Sequence, residues 1–144
     1  MDSNVRCALP GIITIGIVSD ASMGRWTAPE RLEDDRSTTF TDVYAFGMTL
    51  LEVLTGDRPF RNLPTQNSVI IAISNGERPE LPSPLSPLLS HYIGLIKSCW
   101  RKDRFARPDM KHVIAQLNWL AASYPGTLGS HSPFVPVSIG WPQS

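Results

Sequence analysis

From Asp42 to Thr55 the chain reads Asp-Val-Tyr-Ala-Phe-Gly-Met-Thr-Leu-Leu-Glu-Val-Leu-Thr, with apolar residues on every face of a helical wheel and Glu52 the only charge after Asp42. A helix that is apolar all round belongs inside a domain, where other elements cover it. Thr39 and Asp42 stand at capping-box spacing at its start, and Gly56 stands where a left-handed cap would end it. Whatever else the chain does, it must build a shell around residues 42–55.

Proline marks where that shell can be helical, because it breaks helix interiors and is tolerated in the first turn. The 13 prolines leave 30–58, 65–78, 88–107 and 109–124 free for helices. In Ser68 to Asn75, Val69, Ile70 and Ile73 share a face and Gly76 follows as a stop. Ser86 is a candidate N-cap with Pro87 at the first helical position, and Leu89, Tyr92, Ile93, Ile96, Cys99 and Trp100 follow at helical spacing. Pro108 is expected to open a further helix with Met110, Val113, Ile114, Leu117 and Leu120 on one stripe. Residues 1–23 read as an extended or irregular segment, and 123–144, rich in turn formers, as a disordered tail. The expected fold is mainly α, three amphipathic helices packed round one buried apolar helix.

Thirteen bases balance thirteen acids, so the chain lacks the basic excess that drives nucleic-acid binding, and no nucleic-acid partner is expected. Cys7 and Cys99 belong to no CxxC or Cys/His cluster, which argues against a disulfide scaffold or a structural zinc. The longest apolar run, Ala8 to Val18, is too short to cross a membrane and is interrupted by Pro10 and Gly11, which also spoils it as a signal peptide. A cytoplasmic protein without membrane association is the expectation.

Four strings in order carry a resemblance: Arg25-Trp26-Thr27-Ala28-Pro29-Glu30, Thr41-Asp42-Val43-Tyr44-Ala45-Phe46-Gly47, Gly76-Glu77-Arg78-Pro79, and Cys99-Trp100 followed by Arg107-Pro108. Together they resemble the C-terminal lobe of a eukaryotic protein kinase, and their wording is most similar to the tyrosine-kinase-like branch in its fungal form. The resemblance covers residues 24–122 and implies a partial, truncated kinase-like C-lobe. It implies Ala28, Pro29, Glu30, Asp42, Gly47, Trp100 and Arg107 as structural motif residues, and Arg25, Trp26 and Thr27 as the remnant of a substrate-contacting loop.

Each of these residues also has a plainer reading. Glu30 and Arg107 suit a bidentate pair tying a loop to a distant helix, yet spacing alone favours two surface charges; the resemblance reverses that preference, since the family pairs them beneath its activation segment. Asp42 is either an N-terminal capping residue or, as the resemblance implies, an anchor for the backbone of a catalytic loop. Trp100 reads as a packing residue, and Trp26 as packing or peptide docking. The run from Pro79 to Pro87 is a connector or a polyproline ligand.

Phosphoryl transfer in this family requires a glycine-rich phosphate cover, a lysine on the nucleotide, a catalytic aspartate and metal-binding Asn and Asp. The first lysine is Lys97, the first histidine is His91, and neither Asp-Phe-Gly nor GxGxxG occurs. Thr14-Ile15-Gly16 resembles a degraded metal-binding tripeptide, but a threonine is a poor magnesium ligand. The sequence therefore assigns no catalytic, cofactor-binding or metal-binding residue to this chain, although the parent family uses ATP and Mg. Two functions follow as expectations: a protein kinase domain fragment of a signalling phosphotransferase, inactive by itself, or a non-catalytic, pseudokinase-like protein-binding scaffold. Protein partners are expected, and so is self-association through an uncovered apolar patch near Asp42 to Phe46.

Overall fold

A computed structural model describes residues 24–34 and 36–125, and these form five α-helices and a 3-10 turn with no strand among them. The helices are α1 (Pro29–Glu33), α2 (Thr39–Thr55), α3 (Gln66–Ser74), α4 (Pro87–Cys99) and α5 (Met110–Ser123), with the 3-10 turn at Arg104–Ala106 before α5. The mainly helical architecture expected from the sequence is what the chain adopts. The readings of residues 1–23 and of most of the tail lie outside the described residues.

The apolar helix begins three residues earlier than its composition implies. Thr38 is its N-cap: the Thr38 hydroxyl accepts the Thr41 amide at 3.3 Å, and the Thr41 hydroxyl accepts the Thr38 amide at 2.8 Å. Two hydroxyls thus close the capping box that Thr39 and Asp42 were expected to make, because Thr38 has the extended backbone a cap needs while Thr39 is already helical. The C-terminal end is as read, with Gly56 left-handed at φ 73° and its amide donating to Glu52 O.

The other boundaries show which local signals win. Ser86 caps α4 with Pro87 at its first position, and α3 ends in a Schellman pattern, Glu77 N–H to Ala72 O and Gly76 N–H to Ile73 O, with Gly76 at φ 81°. Thr65, paired with Ser68, starts α3 two residues before Ser68. Pro108 does not open α5; Asp109 caps it by accepting the His112 amide at 2.7 Å, and Pro108 precedes the cap. Trp100 lies just past the end of α4, as its C-cap. Two elements were not anticipated, the short α1 and the 3-10 turn capped by Asp103, since neither is long enough to show periodicity.

Two apolar clusters meet at α2. Tyr44, Met48 and Leu51 pack with Val69, Ala72 and Ile73 of α3, with Ile96 of α4 and with Trp100, Phe60 and Ala28. On the adjoining side Val43 packs with Leu95 and Cys99 of α4 and Val113 of α5, with Phe46 and Met110 partly buried against them. The approach of α2 to α4 depends on Gly47, where a Cβ would stand 2.7 Å from the Cys99 Cβ. Coverage of α2 is nonetheless incomplete: Val53 is 52% exposed. The bare surface is not where it was expected, because Val43 and Tyr44 are buried and Ala45 and Phe46 half-buried.

Candidate functional site

Pro29 is the first residue of α1, so Glu30 projects from the first turn of a short helix. The 3-10 turn brings Arg107 beneath it. Arg107 NH1 donates to Glu30 Oε1 at 2.6 Å and NH2 to Oε2 at 3.0 Å, a bidentate pair across 77 residues of sequence. The same guanidinium donates to Phe40 O at 2.9 Å and, through Nε, to Arg101 O at 2.9 Å. One fully buried side chain thus ties α1, the first turn of α2 and the loop before α5 together. Burial by itself would raise the Glu30 pKa, but the Arg107 hydrogen bond, its own backbone amide and the charges of Arg107 and Arg104 outweigh this and hold it below the usual carboxylate value.

Tyr44 sits against this tie. The Arg107 guanidinium lies 5.1 Å from its ring centroid and that of Arg78 5.2 Å, while Arg78 Nε donates to Trp100 O at 2.9 Å. The Tyr44 hydroxyl is buried with no hydrogen-bond partner, and burial pushes its pKa up to about 12 in spite of the two arginines. A raised phenol pKa favours the folded state while the phenol stays neutral; that advantage is lost once the unfolded tyrosine ionises, so stability should fall between pH 10 and about 12. The loss amounts to about 2 to 3 kcal/mol for a shift of this size. Tyr44→Phe should be near neutral at pH 7 and remove most of that alkaline loss, as read by urea unfolding at several pH values. Parallel profiles for the two proteins would show that the phenol is not the titrating group.

Arg25 and Trp26, which the resemblance implies as part of a substrate-contacting loop, both make hydrogen bonds to the rest of the lobe. Arg25 is buried and turned inward, donating from NH1 to Pro59 O at 2.9 Å and Phe60 O at 2.8 Å and from NH2 to Leu63 O at 2.9 Å. Trp26 is half-buried, and its indole N–H donates to Glu52 Oε2 at 3.1 Å. Sequence reading missed both partners, as it missed the roles of Tyr44 and Arg78, because backbone carbonyls and a single half-buried carboxylate leave no pattern at such separations.

Trp26, Thr27, Ala28, Arg31, Thr41, Asp42 and Ala45 line one open groove of about 220 Å³. It joins the two motif strings that the sequence singles out. Asp42 is exposed in the first turn of α2, where the positive end of the helix dipole favours its charge, and the capping bond is made by Thr38 instead. Gly47 and Trp100 lie in the core, away from the groove. Such a groove can accept amide N–H groups from a docked backbone. Among the described residues no group of three His, Cys, Asp or Glu stands where it could hold a metal ion.

A helical lobe is wrapped round one apolar helix and locked by an arginine fork on a carboxylate of α1. Residues 19–117 match the family described as protein tyrosine and serine/threonine kinase, and the chain belongs to that family. It is 40% identical over 94 residues to the serine/threonine/tyrosine-protein kinase HT1 of Arabidopsis thaliana, covering 65% of this chain and 23% of that protein. To the ephrin type-A receptor 8 of Rattus norvegicus it is 40% identical over 101 residues, 69% of this chain and 26% of the receptor. To the serine/threonine-protein kinase STY17 of Arabidopsis thaliana it is 32% identical over 96 residues, 67% of this chain and 16% of that kinase. The chain therefore spans only a minor part of the curated relatives it matches. Among the described residues no helix is long and apolar enough to cross a membrane.

Proposed function

We propose that this chain is the lower C-lobe segment of a protein kinase domain of the tyrosine-kinase-like branch, in its fungal form. In the parent domain, ATP-dependent phosphorylation of protein Ser, Thr or Tyr serves cytoplasmic signalling. The observation that carries the reading is the groove where Asp42 meets Trp26, Thr27 and Ala28, held from below by the Glu30–Arg107 fork. Its exposed carboxylate suits the anchoring of a catalytic-loop backbone, while Trp26 and Thr27 border the ground a substrate would cross. The chain itself contributes shape and anchorage. Bound to the parent domain, Mg-ATP would supply the phosphoryl group, and this chain's sequence has no GxGxxG, no Asp-Phe-Gly and no lysine before Lys97 to hold it.

The 144-residue chain should accordingly give no saturable heat when titrated with Mg-ATP. A magnesium-dependent micromolar isotherm would overturn its assignment as non-catalytic. The coding sequence upstream of Met1 separates the two roles open to such a segment: an in-frame lysine strand and His-Arg-Asp loop would make it part of an active kinase. A protein-binding, pseudokinase-like role is favoured by one further observation, the exposure of large apolar side chains at Val53, Ile71, Phe105 and Trp119.

A further inference from the structure

The neutral charge of the whole chain hides a strong local imbalance. Between Lys97 and His112 there are six Lys and Arg residues against only Asp103 and Asp109. Both of those carboxylates cap their own backbone, Asp103 on the Phe105 amide at 2.9 Å and Asp109 on the His112 amide at 2.7 Å. Arg107 is spent on Glu30, whose charge Arg104 also helps to hold, but among the described residues no carboxylate lies within salt-bridge distance of Arg101, Lys102 or Lys111, and all three are exposed.

Part of this charge lines a concavity. Arg101, Lys111, His112 and Gln116 border an open groove of about 630 Å³ at the start of α5, together with Arg107 and Asp109, whose charges are engaged by Glu30 and by the His112 amide. His112 and Gln116 also border a second hollow of about 360 Å³ further along the helix, whose other walls are His91, Ala115, Trp119 and Leu120. The Gln116 amide reaches His112 Nε2 at 3.1 Å on the ridge between the hollows, and the His91 ring lies 5.2 Å from that of Trp119, tilted 60° to it, with Trp119 53% exposed. One face of α5 therefore offers a cationic seat followed by an aromatic one.

We propose that this face is a docking site for an acidic protein segment that carries an aromatic or aliphatic anchor beside its carboxylates. Charge complementarity selects the partner's sign, and the Trp119–His91 hollow selects an apolar side chain next to it. A nucleic acid would ask for a longer basic stripe than one end of a helix provides, and a membrane surface is too flat to enter the hollow. The site lies on α4 and α5, away from the Asp42 groove, and does not depend on the reading of that groove.

The test titrates the isotopically labelled 144-residue chain with a peptide of four glutamates followed by phenylalanine and leucine, observed by amide chemical shifts. Saturable shifts should cluster at Arg101, Lys111, His112 and Trp119. Replacing the peptide's two apolar residues by serine should weaken binding at least fivefold. Lys111→Glu combined with Arg101→Glu should weaken it at least tenfold, and Trp119→Ala at least fivefold, with unchanged spectra elsewhere. Shifts scattered over the chain, no saturation at millimolar peptide, or equal binding of the double charge variant would overturn the proposal. So would tighter binding of a single-stranded oligonucleotide or of vesicles containing phosphatidylserine at the same residues.

Discussion

Arg107→Ala should lower the unfolding free energy by about 3 to 5 kcal/mol, the range for removing one partner of a buried pair. Its guanidinium is fully buried, whereas the Glu30 side chain keeps 18% of its surface exposed. The two single variants should therefore differ. Glu30→Ala leaves a buried cation still bonded to Phe40 O and Arg101 O, while Arg107→Ala orphans a carboxylate that water can reach and two carbonyls besides. In a double-mutant cycle the coupling should reach about 2 kcal/mol, within the range for groups in direct contact. The pH dependence has a definite sign. Glu30 has a lowered folded pKa, so the stabilisation it brings is present above the unfolded carboxylate pKa and disappears as pH falls through the folded one. The gap between wild type and Arg107→Ala should narrow in acid to the part that belongs to the Phe40 and Arg101 carbonyls. Strictly additive losses, or a gap that persists unchanged at pH 2, would mean that the fork does not stabilise the lobe by its charge.

How much of this was legible in the sequence depends on the range of the forces concerned. Local signals were read to within a few residues: Gly56 and Gly76 as left-handed stops, Ser86 and Pro87 as a start, the face of Val69, Ile70 and Ile73 as core. Errors came where two neighbouring residues compete for one role. Thr38 beats Thr39 because Thr41 can return its hydrogen bond, and Asp109 beats Pro108 because only a side-chain acceptor satisfies the His112 amide. The Glu30–Arg107 tie came from the kinase resemblance, since nothing in a separation of 77 residues says that two charges meet.

Apolar periodicity says which helices are buried but not which faces finally lie bare. The all-apolar pattern of α2 led to an expected bare patch near Asp42 to Phe46, yet Val53 is exposed while Val43, ten residues earlier, is sealed against Cys99 and Val113. The difference follows from Gly47, which lets α4 settle onto the first half of α2 and leaves its last turn to other neighbours. Charge behaves in the same way. Zero net charge excluded a strongly basic partner surface on average, and the clustering of unpaired cations on α5 and the loop before it became meaningful only once Asp103 and Asp109 were seen to be occupied by their own amides.

Arg25→Ala should be about as damaging as losing the Glu30–Arg107 fork, although no carboxylate pairs with Arg25 among the described residues. Its guanidinium is the shared donor for three carbonyls in the loop after α2, and the bonds to Pro59 O and Phe60 O are buried. Hydrogen bonds that involve a charged group contribute about 1.5 to 3 kcal/mol each, so losing the two buried ones should cost about 3 to 6 kcal/mol. Phe60 adds to the effect, because its left-handed backbone, φ 55°, is strained for a bulky residue and is held by the packing and the fork around it. Burial, and after it the nearby charge of Arg58, lowers the Arg25 pKa, but a guanidinium starts so high that it stays protonated in neutral solution. This predicts opposite signs at two neighbouring arginines. Arg58→Gln, at an exposed position, relieves repulsion and should be neutral or slightly stabilising, whereas Arg25→Lys loses the forked geometry and should recover less than half of the alanine loss. Urea unfolding of the three variants gives the energies, and amide exchange at Arg61 to Leu63 should speed up in Arg25→Ala alone. Equal destabilisation by Arg58→Gln and Arg25→Ala would show that the loop responds to net positive charge and not to the three bonds at Arg25.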